Sequence, residues 1–82
     1  MKTILVLHKY ERPLTEELHG GEVRKLDPCL HQYGVTWKRS YLTEDRMQMW
    51  CEFEASDAET VRKACRSAEV PVAGAWPVHK FE

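Results

Sequence analysis

Residues Gly34 to Asp57, GVTWKRSYLTEDRMQMWCEFEASD, constrain the fold more than any other stretch: two alternating runs flank a tight acidic turn and lead into a helix cap. Val35, Trp37 and Tyr41 are β-branched or aromatic and occupy alternate positions, as do Met47, Met49, Cys51 and Phe53 in the second run. A period of two is the signature of a pleated strand with one buried face. A four-residue turn over Thr43 to Arg46, with Leu42 opposite Met47, sets Lys38, Ser40 and Leu42 on one face with Met47, Met49 and Cys51. Trp37, Arg39 and Tyr41 then share the other face with Gln48, Trp50 and Glu52. A one-residue change in the turn exchanges the two groups.

The flanking segments supply the remaining elements. Thr3 to Tyr10 is apolar and β-branched and stops before Pro13, as a strand does. Thr15 can cap a helix that carries Glu16 and Glu17 in its first turn and Leu14 ahead of it as a hydrophobic staple. Gly20-Gly21 weakens that helix and Asp27-Pro28 can restart it, so the spacing predicts a broken helix that ends at Gly34. Ser56-Asp57-Ala58-Glu59 reads as a capping box with Ser56 as cap, followed by an apolar stripe of Val61, Ala64, Cys65 and Ala68. Val72 to Phe81 can form a last strand, with Pro77 restricting it to a sheet edge or a bulge.

The order is βαββαβ. Right-handed crossovers over one antiparallel sheet give an α+β, ferredoxin-like fold, strand order 4-1-3-2, with both helices on one face. The other face is left open and carries aromatic residues, which predicts a second copy packed face to face in a dimeric α/β barrel.

Eighty-two residues make one domain, residues 1–82, and a chain of this size buries only about 60 to 65 per cent of its unfolded surface, so an oligomer interface would help it. Twelve basic and thirteen acidic residues, scattered along the chain, exclude an electrostatic nucleic-acid or membrane binder. The apolar run near the N-terminus, Ile4 to Leu7, is too short for a signal peptide or a membrane span. Three cysteines without CxxC spacing indicate neither a disulfide framework nor a zinc ribbon, and point to a cytoplasmic protein. The four histidines lie in separate segments and read as exposed polar residues.

Gly34, Val35, Trp37, Ser40, Tyr41, Glu44, Asp45, Cys51, Phe53, Glu54, Ala55, Asp57, Glu59, Val61, Arg62 and Arg66 carry a wider pattern. It resembles G-V-x-W-[LI]-H-S-Y-V-[ST]-[ED]-D, then Y-C-x-Y-E-A-P-[DS], then E-E-A-I-R-E-H-A-R-R-A-G, the pattern of a small bacterial family of unknown function that includes nickel-binding proteins. The resemblance implies a ferredoxin-like fold, a dimeric barrel, a cytosolic location and binding of nickel or another divalent transition metal. Two histidines of that pattern are replaced, by Arg39 and Ala64. Cys51 is the metal-ligand candidate that remains, and one thiolate does not make a nickel site.

Cys51 and Cys65 also read as core thiols on the helix-covered side. Cys29 and His31, two apart at a helix end, cannot share a helix face. Glu16-Glu17 and Glu44-Asp45 read as a solvated helix start and a turn. The residues themselves offer no nucleophile–base constellation. The ligand-binding candidates are Trp37, Arg39, Tyr41, Trp50 and Glu52, with Arg39 either paired to Glu52 or presented to a small anionic ligand between Trp37 and Trp50. The function indicated is that of a binding protein with weak or altered metal affinity. The alternatives are a small-molecule-binding or cofactor-independent enzymatic barrel and a structural or regulatory dimer.

Overall fold

The computed structural model describes residues 1–81. Its elements are β1 (Lys2–Lys9), α1 (Glu16–Gln32), β2 (Thr36–Leu42), β3 (Gln48–Ala55), α2 (Ala58–Ser67) and β4 (Gly74–Val78). The strands form one antiparallel sheet in the order β2-β3-β1-β4, which has the same neighbours as 4-1-3-2 read from the opposite edge. Pro77 lies in β4, which pairs with β1 alone, so its missing N–H can face outward.

The core lies between one sheet face and the two helices. Ile4 and Val6 of β1, Met49, Cys51, Phe53 and Ala55 of β3, Ala75 of β4, Leu26 and Leu30 of α1, and Val61, Ala64 and Cys65 of α2 are all buried in it. Burial of a large apolar side chain stabilises by about 1.5–3 kcal/mol, which outweighs the local weaknesses of α1. That balance corrects the expected helix break. α1 runs unbroken through Gly20, Gly21 and Pro28, because Leu26 and Leu30 on either side of Pro28 are held in the core.

The helix ends follow local chemistry. Thr15 Oγ1 accepts the Leu18 N–H at 3.1 Å. Gly34, at φ 68°, closes α1 in a Schellman turn: its N–H bonds to the His31 carbonyl at 3.2 Å and the Val35 N–H to Leu30 at 2.9 Å. α2 ends the same way, with the Val70 N–H on Cys65 and the Glu69 N–H on Arg66, although Glu69 must adopt φ 59° to do so. At its start the cap is Asp57 and not Ser56: Asp57 Oδ1 accepts both the N–H and the hydroxyl of Thr60 at 2.7 Å. Those two bonds hold the Asp57 carboxyl below its usual range. Ser56 Oγ instead meets the Thr60 hydroxyl at 3.1 Å.

The β2–β3 hairpin departs from the expected register. Leu42 faces Met49, not Met47, because Thr43 pairs onward to Gln48 and Arg46 turns the chain at φ 64°. The shift is two residues, and an even shift keeps each side chain on its face. A β-bulge between Trp37 and Arg39 does not: Arg39 faces Glu52 while Trp37 faces Phe53, so Lys38 is the extra residue. The tip of the hairpin is also fastened to the β1–α1 connection, where Leu14 N–H bonds to the Arg46 carbonyl at 2.8 Å and Arg46 Nε returns a bond to the Leu14 carbonyl.

These cap assignments predict that Asp57→Ala lowers the melting temperature by roughly 4–8 °C, as expected for losing a helix cap in a domain of this size. Ser56→Ala is expected to shift it by less than about 2 °C, since exposed positions outside the cap matter little. Differential scanning calorimetry of the two variants checks the assignment, and the reverse order of effects would refute it.

Candidate functional site

Register and pleat divide the side chains of the sheet between two environments. Thr36, Arg39, Tyr41, Gln48, Trp50, Glu52 and Glu54 face away from the helices, together with Leu5 and Leu7 of β1 and Gly74 and Trp76 of β4. Four of the five expected ligand-binding residues, Arg39, Tyr41, Trp50 and Glu52, therefore share the open face. Trp37 does not, and this corrects the sequence reading. The bulge at Lys38 turns it to the helix side, where its ring lies 5.6 Å from Phe53 and meets the edge of His19 at 6.2 Å. Lys38, expected on the helix-covered face, is exposed and paired with Glu54 at 3.4 Å.

Glu52 is the centre of charge on the open face. Its side chain is only 13% exposed, with Arg39 Nε at 3.8 Å and Lys80 Nζ at 3.1 Å. One carboxylate thus faces two cations. Beside this group Trp50 and Trp76 stack with ring centroids 6.2 Å apart and planes tilted by 32°. The pair depends on Gly74. Trp76 lies down over it so closely that a Cβ there would sit 2.2 Å from Cη2 of the indole. Tyr41 at 61% and Trp76 at 45% exposure leave aromatic surface uncovered.

Trp76 and Lys80 were not among the expected residues. Trp76 carried a readable signal, since Gly74-Ala75-Trp76 places a glycine beside a tryptophan on one face of an edge strand. Lys80 carried none: it lies beyond β4 and reaches Glu52 only through the path of the chain.

The helix side holds a second polar group. Trp37 Nε1 donates to Ser40 Oγ at 2.7 Å, and Ser40 Oγ donates to Cys51 Sγ at 3.1 Å. His19 Nε2 is buried with no protein partner. Cys29, Cys51 and Cys65 are free thiols. Burial pushes the Cys51 thiol up to about 11, the Ser40 hydrogen bond working against it and the Glu22 carboxylate adding to it. Burial likewise lifts Cys65 to about 12. Burial, reinforced by the Glu22 carboxylate 3.2 Å from its hydroxyl, raises Tyr10 as well.

The histidines do not share one environment, contrary to expectation. His31 and His79 are exposed, but His8 is buried, with Nδ1 donating to the Pro71 carbonyl at 2.8 Å. Cys29 is half-buried and His31 exposed. Glu16-Glu17 and Glu44-Asp45 are solvated. No helix among the described residues is long and apolar enough to cross a membrane.

A family model described as "Nickel responsive protein SCO4226-like" matches residues 5–78. The chain belongs to this nickel-responsive family. Among solved structures, the crystal structure of SCO4226 from Streptomyces coelicolor A3(2) matches with a TM-score of 0.86 at 12% sequence identity, covering 98% of this chain and 99% of that one. At that identity the likeness carries the fold alone. No protein in a search of curated proteins matches the sequence.

Within one chain, the described residues offer no preformed nickel site. Among the described residues no three His, Cys, Asp or Glu side chains converge as a metal site. Cys51 is almost fully buried, and burial raises its thiol, so forming the thiolate a metal needs costs more here than at an exposed cysteine. Arg39 brings a cation to its part of the sheet, and Ala64 is fully buried between α2 and the sheet.

The raised thiols generate a pH dependence. Their contribution to stability is full below 9.0, the ordinary thiol value, where both states are protonated. As pH rises from there the unfolded chain ionises first. Stability is therefore expected to fall through about 11 for Cys51 and about 12 for Cys65. Tyr10 adds to the loss in the same direction. Urea midpoints between pH 8 and 11 should fall less steeply in Cys51→Ala than in the parent, and parallel curves would refute the role of this thiol.

Proposed function

We propose that this chain is a cytosolic, non-enzymatic binding protein, a homodimer closed over its open sheet faces, which binds a small anionic ligand there and nickel only weakly. The observation that carries the reading is Arg39, which stands where the family pattern has histidine and lies beside Glu52 on that face. An imidazole there could donate an electron pair to a metal, whereas a guanidinium repels a cation and presents donors to an anion. The charged set Lys38, Arg39 and Lys80 against Glu52 and Glu54 leaves one cation in excess for such a ligand. The stacked Trp50 and Trp76 give it a flat apolar wall.

The second copy is argued from exposed aromatic surface. Tyr41, Trp50 and Trp76 share one face of a small domain, and self-association is the economical way to cover it. The cytosolic assignment rests on the free thiols, which suit a reducing compartment.

Nickel titration by calorimetry separates these ideas. The parent is expected to bind Ni²⁺ weaker than roughly 0.1 mM, and Arg39→His to gain at least about tenfold, since one coordinate bond replaces a repulsion. Ala64→His is expected to give no such gain and to destabilise the fold, because an imidazole overfills a position with 0% exposure. Tight binding by the parent that neither variant alters would overturn the reading. The dimer is tested by sedimentation equilibrium at tens of micromolar. A mass of twice the 9.6 kDa chain is expected, and a monomeric mass would refute it.

A further inference from the structure

On the other side of the sheet edge, α2 and the segment that follows it border a half-open cleft of about 320 Å³, lined by Arg62, Arg66 and the turn from Val70 to Gly74. Its walls are fixed. The Val70 N–H holds the Cys65 carbonyl at 2.9 Å, the Pro71 carbonyl accepts a hydrogen bond from His8 Nδ1–H at 2.8 Å, and the Ala73 N–H holds the Leu7 carbonyl at 2.8 Å. Arg62 Nη2 spans to the Ala75 carbonyl at 2.8 Å and so fixes its own guanidinium against the start of β4.

The charge in this cleft is one-sided. Its lining contains two arginines and no carboxylate. Glu59, one turn before Arg62 and two before Arg66 on α2, lies 3.8 Å from Arg62 and 3.6 Å from Arg66. These are long, exposed contacts, and such pairs hold little energy. A guanidinium has five N–H donors, so most donors of both side chains are free for an oxyanion. The negative end of α2 would oppose an anion, but the carbonyls of Ala64, Cys65 and Arg66 are each covered by an N–H of the following turn. Val70, Pro71, Val72 and Ala73 add apolar surface, and the volume is at the lower end of small-molecule sites, which begin at about 300 Å³.

We propose that this cleft binds a phosphate monoester, its phosphoryl oxygens on Arg62 and Arg66 and its organic group against Val70 to Ala73. The site shares only Gly74 with the open sheet face, and it stands or falls independently of what binds there. Phenyl phosphate serves as the probe and inorganic phosphate as the comparison, both titrated at constant ionic strength into the full chain and followed by amide chemical shifts. Saturable shifts centred on Arg62, Arg66 and Val70–Gly74 are expected, with phenyl phosphate binding tighter than inorganic phosphate. Arg66→Gln removes only an exposed contact to Glu59, so it should fold as the parent does while binding phenyl phosphate at least about tenfold more weakly. Glu59→Gln frees both arginines and should tighten binding by about threefold. Shifts that do not saturate, shifts centred on Trp50 and Trp76, or an Arg66→Gln affinity equal to the parent's would overturn the proposal.

Discussion

The pleat of β3 is the constraint on which the other parts depend. Met49, Cys51, Phe53 and Ala55 alternate with Gln48, Trp50, Glu52 and Glu54, and the first set is buried against the helices while the second is not. Because β3 pairs with β2 on one side and β1 on the other, its alternation fixes the facing of both neighbours, and through β1 that of β4. A sheet of this kind needs a cover on its apolar face, and α1 and α2 supply it. That burial carries α1 across two glycines and a proline that would interrupt an isolated helix.

A single extra residue then decides what the open face can do. Without the bulge at Lys38, Trp37 would join Arg39 and Tyr41 among the outward residues; with it, Trp37 packs on Phe53 and ties Ser40 to Cys51. The aromatic partner on the open face becomes Trp76 from the far edge, crossing β1 over the space that Gly74 leaves. The same twist of the chain separates the two chemistries of the molecule. Charged and aromatic groups share the outer face, and Cys51 and Cys65 are sealed in the inner layer, where burial raises their thiols. For a member of a nickel-responsive family this is a poor arrangement of donors: the soft ligand is buried, and a guanidinium occupies the outer position.

What the sequence determined by itself was whatever depends on neighbours along the chain. Period-two alternation around Cys51 gave the strands, Thr15 and Gly34 marked the ends of α1, and Pro77 marked β4 as an edge. The faces of Arg39, Tyr41, Trp50 and Glu52 were legible for the same reason, since a two-residue slip of register does not change parity. Tertiary structure decided what depends on distant partners. The continuity of α1 came from Leu26 and Leu30 in the core, and the side taken by Trp37 from a bulge that no local motif announced. Lys80 joined Glu52, and Arg62 reached the Ala75 carbonyl, across separations that the folded path alone closes. Alternation and caps are local energies that a short window can express. A salt bridge or a cleft between segments exists only once the backbone has closed the loop, and no residue type encodes its partner.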